Sequence, residues 1–489
     1  MARINTNVPS LIAQNNLSRS NNDLSTRLQR LATGLRINRG ADDPAGLIVS
    51  ERLRSEIKGM GQAIDNSERA SSVIATTEGY LAEVADLLNS IKSLVVNSAN
   101  TGGISQEEIS ANQLEIDSAI ESITRISNTA SFAGLQLLNG SLEYLTSGVD
   151  SSDIAGADIH GVQFGTNSSI SVSVEVTQSA QAGSLFLSAP TGALTSSVTL
   201  EIAGKLGVQT LTFVSGTALS AVIAAVNTVR DTTGISANLR NGASQLSGLY
   251  FKSTDFGSDA FVSVRKIGSG GAFFQTYSDP AGAAQQRDSG RDVSAIINGA
   301  LATGNGTTVS LNTPALAIDL DLSHAFATTV NGTPSTFNVT GGGAMFQLGP
   351  SITTTQQVGI GIQSVAASRI GGTTFAGDRY FLDSLKSGQS NSMILGRAAE
   401  ASEVLDAAIT EVSVMRGRLG AFERNTLQTN SRSLQIGLEN ITSSESKIRD
   451  TDFAAETAAM TRAQILQQAG TSVLATANSS AQNVLRLLQ

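Results

Sequence analysis

The sequence predicts an α plus β multidomain protein: long terminal helices forming coiled-coil and helical-bundle core domains, with a β-rich (α+β) central region inserted between them. Three observations lead there. Apolar residues recur at four-and-three spacing near both ends of the chain, the mark of a helical stripe. The period switches towards two between about Tyr144 and Asn391, and breaks at Arg39–Gly46 and Thr101–Gly103 cut the first end into separate helices.

Leu17, Leu24, Leu28, Leu31 and Leu35 fall along one stripe and read as a coiled-coil seam. In the break that follows, Asp43 is placed to cap the next helix. Pro44 suits its first position, where the missing N–H has no intrahelical partner to lose. From there Leu53, Ile57, Met60, Ile64, Ile74, Leu81, Leu88 and Val95 share a register in which Ser67, Ser71, Glu78, Ala85 and Lys92 take the intervening positions. A third segment carries Ile109, Ile116, Ile120 and Ile123 and is expected to end near Leu137–Gly140, completing a helical hairpin.

Near the other end Ile394, Ala398, Ala401, Leu405, Ala408, Val412, Met415, Leu419 and Phe422 keep the same spacing, and Leu434, Leu438, Ile441 and Ile448 resume it. The last stripe, Leu466, Gly470, Val473, Ala477, Ser480, Val484 and Leu487, places small residues where a stable coil wants Leu or Ile. At roughly 25 cal/mol per Å² of apolar burial such a stripe gains little by itself, so the terminal helix is expected to need neighbours. An intramolecular bundle explains the inner stripes, whereas marginal coils at both ends call for a partner or a polymer.

In the centre, alternating runs at Ser171–Thr177, Ser197–Ile202 and Phe261–Arg265 read as short strands. Strands at Val198–Ile202, Gln209–Phe213, Ile235–Leu239 and Leu249–Ser253, around a helix over Ala218–Val229, outline a small α+β unit. Ala295–Ser310 reads as a hairpin with Asn305-Gly306 as its turn signal. The expected domains are 1–40, 41–143, 144–391, 392–450 and 451–489, with the α+β motif at about 197–261.

Composition narrows the function. The 489 residues are 40% hydrophobic but only 4% aromatic, with no cysteine, so aliphatic, small-residue cores are expected and thiolate chemistry is excluded. A net charge of −9 opposes broad binding to nucleic acid or anionic membrane. No apolar run reaches the roughly 20 residues of a membrane span, and polar residues interrupt any signal-peptide block near the start.

Neither His160 nor His324 has a metal-ligand partner at helical spacing, and both read as surface or loop residues. Asp42 and Asp43 read as helix-start residues rather than a catalytic pair. No phosphate-binding glycine motif occurs, so no cofactor and no enzymatic activity are expected. Arg3, Arg19, Arg27, Arg30, Arg36 and Arg39 face only Asp23 in the first forty residues, as either a solvated helix face or a polar contact between subunits.

Certain runs carry a resemblance. LQRLATGLRIN (Leu28 to Asn38), ADDPAGLIV (Ala41 to Val49) and SLVVNSAN (Ser93 to Asn100) closely resemble the N-terminal signature of bacterial flagellins. LGAFERNTL (Leu419 to Leu427), IRDTDFAAE (Ile448 to Glu456) and AQNVLRLLQ (Ala481 to Gln489) resemble their C-terminal signature, and Thr199–Phe261 is similar to the flagellin hook IN motif. The resemblance implies a structural subunit that is exported through the flagellar type III apparatus and polymerises into an extracellular filament for swimming. It implies paired terminal segments lining the filament channel and an outward-facing centre. On the stripes above, Leu17, Leu24, Leu28, Leu31, Leu35, Leu466, Val473, Ala477, Val484 and Leu487 become the polymerisation interface.

The implied partners are further copies of the chain, a secretion chaperone at the C-terminal segment, and hook-associated junction and cap proteins. One departure stands out: at Asn89–Leu94, Ser90 and Lys92 replace the arginine-containing run of flagellins that activate the vertebrate flagellin receptor. A hook–filament junction protein shares the terminal architecture, and a surface adhesin would suit the Ser/Thr-rich centre. A filament-borne metalloprotease would need a zinc motif that the centre lacks.

Overall fold

The computed structural model describes residues 6–486, apart from residues 166, 189, 243, 269, 272, 273, 331, 332, 376 and 377. Packing divides it into two units, Met1–Ile74 with Phe346–Gln357 and Gly420–Gln489, and Ala75–Met345 with Val358–Leu419.

In the first unit, Asn7 caps the helix Val8–Thr33 by accepting from the Ser10 N–H at 3.2 Å. Gly34 ends it in the left-handed region (φ 72°), donating its N–H to Arg30 O at 2.8 Å. The long helix Pro44–Ser98 starts as the sequence predicts: Asp43 Oδ1 accepts the Gly46 N–H at 2.9 Å and proline takes the first position. Helices Gln428–Arg449 and Phe453–Arg486 complete this unit. Arg449 holds Glu51 at 2.6 Å, and Asn430 donates to the Leu348 carbonyl at 2.7 Å. A π turn over Glu423–Leu427 precedes the helix Gln428–Arg449, and the Ser71 hydroxyl bonds Glu423 at 2.6 Å.

The second unit holds the rest of the long helix, the helix Gln106–Thr129 and most of the helix Ala398–Phe422. Ser105 and Glu108 form a reciprocal capping box at the start of Gln106–Thr129. Ile109, Ile116, Ile120 and Ile123 are buried, as are Ala401, Leu405, Ala408, Val412, Met415 and Leu419.

Three expectations need correction here. The third helix ends at Thr129 rather than near Leu137–Gly140: Ala133 (φ 49°) and Gly134 (φ 87°) turn the chain between Ser131–Phe132 and Leu135–Gln136. Ile394 lies in a short 3₁₀ turn and is 48% exposed, so the stripe starts later. Along the long helix the buried intervening positions are Ala70, Thr77, Val84 and Ile91, each one residue before Ser71, Glu78, Ala85 and Lys92. Both choices keep four-and-three spacing, and spacing alone does not choose between them.

Two β modules complete the second unit. One is an eight-stranded antiparallel sheet whose central strands include Ile170–Gln178, Ser294–Ile297 and Ala300–Asn305, with Ile154–Val162 at one edge beside Leu316–Leu322. Asn298 (φ 49°) and Gly299 (φ 82°) make the turn from Ile297 to Ala300 and Gly306 lies in the next, so the single hairpin expected over Ala295–Ser310 is a three-stranded meander with Asn305 in its middle strand. The other module packs two four-stranded sheets and the helix Leu219–Thr228 around Leu200, Ile202, Val222, Phe251 and Val262. It contains every strand expected for the α+β unit.

Candidate polymerisation surface

The terminal helices meet as an antiparallel pair within the first unit. Asn7 Nδ2 donates to Ala477 O at 3.0 Å and the Ser10 hydroxyl to Asn478 at 2.8 Å. Farther along, Arg27 Nη1 reaches Glu456 at 3.1 Å and Arg30 lies 4.0 Å from the same carboxylate. Beyond the helix ends, Arg36 N donates to Arg449 O at 2.7 Å and Thr451 N to Gly34 O at 2.9 Å. Burial disfavours the Arg27 charge, but Asp23 and Glu456 more than offset it and raise its pKa above the ordinary value.

Small residues set the spacing of this pair. A Cβ on Gly470 would stand 3.3 Å from Leu17 Cδ1 and 3.8 Å from its Cα, so Leu17 packs directly on the facing backbone. Ala13 and Ala463 are buried, while Leu17, Ser20, Leu24, Arg27 and Leu31 are half-buried on one helix. Met460, Gln467, Gly470, Leu474 and Ala477 are half-buried on the other, and Glu456 is buried.

The structure therefore brings Leu17, Leu24, Leu31 and Ala477 together on the inner seam and separates them from the other expected residues. Leu28 is 48%, Leu466 52% and Val473 58% exposed, all turned off the seam. Leu35 lies past the helix end, bridging Asp450. Val484 falls within Phe453–Arg486, its side chain outside the described residues; Leu487 lies wholly outside them. Val8, Leu11, Ile12 and Ile465 join the exposed set at 47–60%. The sequence placed Gly470 on the terminal stripe without counting it as an interface residue, and Glu456, a charged residue off the aliphatic pattern, was missed as a pairing position.

Three of the six arginines are engaged within the chain, while Arg19 and Arg39 are exposed. Arg27 and Arg30 hold Glu456, Arg36 donates to Ile448 O at 2.6 Å, and Arg3 lies outside the described residues. His160 also departs from expectation: it sits in the strand Ile154–Val162, bonded to Asp319 and Arg418. His324 is exposed, against Phe256. Among the described residues no cluster could hold a metal ion. At Asn89–Leu94, Lys92 is engaged with Ser402 and Asp406, each at 2.6 Å.

Two terminal helices pair closely and leave apolar side chains of their other faces exposed, the kind of surface that in other proteins marks an interaction site. Comparison makes the class specific. The bacterial flagellin N-terminal helical region matches residues 4–143, the C-terminal helical region 402–488, and the flagellin hook IN motif 199–255. A Salmonella rubislaw flagellin is 31% identical over 512 residues, covering 99% of each chain; a Pseudomonas aeruginosa B-type flagellin is 31% identical over 499, again 99% of each. The D2–D3 domains of an Escherichia coli flagellar cap protein are 20% identical, with a TM-score of 0.27 over 40% of this chain and 96% of that one.

The chain belongs to the bacterial flagellin family and is a structural subunit of the flagellar filament. The full-length match to flagellins favours this reading over a junction protein or an adhesin.

Proposed function

We propose that segments 1–40 and 451–489 form the assembly core and that neighbouring copies cover the apolar side chains left open beside the inner seam. Leu28, Leu466 and Val473 are the expected contacts, joined by Leu17, Leu24, Leu31, Leu35, Ala477, Val484 and Leu487 as members or supports of the seams. Segments 41–143 and 392–450 build the inner helical domain, and 144–391 faces outward. The observation that carries this reading is the exposure of Leu466 and Val473 on a helix whose other face is already paired.

The subunit leaves through the flagellar type III apparatus, escorted by a chaperone on its C-terminal segment, and meets hook-associated junction and cap proteins at the filament ends. It performs no catalysis. The test is polymerisation of full-length Val473→Asp and Leu466→Asp subunits. A carboxylate forced into an apolar contact costs several kcal/mol, whereas on an exposed position of the free subunit it costs little. Circular dichroism should show the helix retained and sedimentation should show no filaments. Normal filaments from both variants would remove these residues from the interface.

A further inference from the structure

On the helix Ala398–Phe422, Glu411 takes part in no ion pair among the described residues. Glu411 accepts the Gly371 N–H at 3.0 Å, and among the described residues no cationic nitrogen lies within 4.0 Å of it. Its surroundings are rich in both charges, but the cations are committed elsewhere. Arg369 holds Glu143 at 2.8 Å, and Arg418 holds Asp319 at 2.6 Å together with His160. Arg379 lies 3.6 Å from Asp321 and donates to Ala155 O at 3.2 Å. Lys92, on the long helix, pairs with Asp406. Asp158, on the strand Ile154–Val162, adds a negative charge felt at Glu411, against the weaker attraction of Arg379 and Arg369.

The loop that Glu411 holds is tightly seated. Ile370 is fully buried, Gly371 takes φ 79°, and a Cβ on Gly371 would come within 2.6 Å of Val404 O and 3.1 Å of Ala408 Cβ. Its backbone therefore lies against the helix, and the Glu411–Gly371 bond is a fastening between loop and helix.

We propose that Glu411 is a proton-dependent latch, which holds the 366–372 loop on the helix Ala398–Phe422 when it carries a proton and releases it when ionised. Burial is the largest influence on this carboxyl. One backbone donor favours the ionised form but does not offset burial, and Asp158 disfavours that form further, so the pKa is pushed up from 4.5 to about 7. An open loop returns Glu411 to water and to the ordinary value. Closure therefore takes up a proton, and its advantage is full below about pH 4.5 and fades as pH rises to about 7.

The experiment is amide exchange of peptides covering residues 366–372 in the full-length subunit, corrected for intrinsic rates, between pH 5 and 8. Protection in the native chain should fall on the order of a hundredfold across this window, since each pKa unit is worth a factor of ten. In Glu411→Gln, which keeps the acceptor and loses the titration, protection should stay level. In Asp158→Asn, with Glu411 intact, the fall should move to lower pH because the opposing negative charge is gone. An equal fall in Glu411→Gln and the native chain would overturn the proposal. So would an unmoved midpoint in Asp158→Asn, a variant that also serves if Glu411→Gln fails to fold.

Discussion

Gly470 faces Leu17 across the terminal pair, and its contact distances decide what the position tolerates. A Cβ there meets Leu17 Cδ1 at 3.3 Å, the end of a flexible side chain, while the nearest Leu17 backbone atom is 3.8 Å away. Exchanging Gly for Ala inside a helix stabilises it by about 0.5–1 kcal/mol, which exceeds the cost of moving one methyl group by a few tenths of an ångström. Gly470→Ala should thus leave the free subunit's helix content equal or higher, read by circular dichroism on heating. Gly470→Leu has no such room: it should part the helices, lower the melting temperature of the terminal segments and impair polymerisation. Equal behaviour of the two variants would show that the helices do not meet closely at this point.

At the scale of elements, the π turn Glu423–Leu427 has a cause that can be read in the numbering. Leu405, Leu419 and the positions between them keep one heptad phase, but Leu434 follows Leu419 by fifteen residues, one more than two heptads. The π turn absorbs the extra residue, so that Leu427, Leu434, Leu438 and Ile441 still face inward. Deleting the exposed Asn425 should yield a continuous α-helix with the same face buried, and a subunit at least as helical and as heat-stable as the native one. Loss of the fold on this deletion would mean that the turn is required for more than phase.

The same elements show where the sequence was legible. One helix start was, because Asp43-Pro44 has a local chemical meaning, whereas the caps at Asn7 and at Ser105 with Glu108 were not read. The strands of the α+β unit were legible from alternation. Seam registers were read less well: four-and-three spacing fits two adjacent stripes, and the large aliphatics Leu28, Leu466 and Val473 lie outside while Ala13, Ala463 and Gly470 lie inside. Close approach of two backbones selects for small size, which hydrophobicity does not report. The charged groups around Glu411 and His160 were hidden for another reason, since they join strands and helices far apart in the sequence.

For the molecule as a whole, the β modules and the terminal helices make separable contributions. Gln181 and Arg291 pair through their backbones, Gln181 N to Arg291 O at 2.8 Å and Arg291 N to Gln181 O at 2.9 Å. The module between them has its own core, while Ala180 and Val293 already belong to the core of the eight-stranded sheet. Replacing residues 182–290 by a short turn should therefore leave the rest of the subunit folded and able to form filaments. A subunit cut only at the matched 199–255 should misfold, because strands Ser184–Leu187 and Phe261–Ile267 would each lose the longer of two partners.

The central claim is that the terminal pair is completed by neighbouring copies. Its inner seam includes Ala13, Ser20, Ala463 and Gly470, which bury little apolar area, and its outer face leaves Leu28, Ile465, Leu466 and Val473 in solvent. Amide exchange over residues 8–33 and 453–479, compared between free subunit and filament, tests this most directly. The account predicts weak protection of both helices in the free subunit, strong protection in the filament, and little change in Gln106–Thr129. Equal protection of the terminal helices in both states would contradict it.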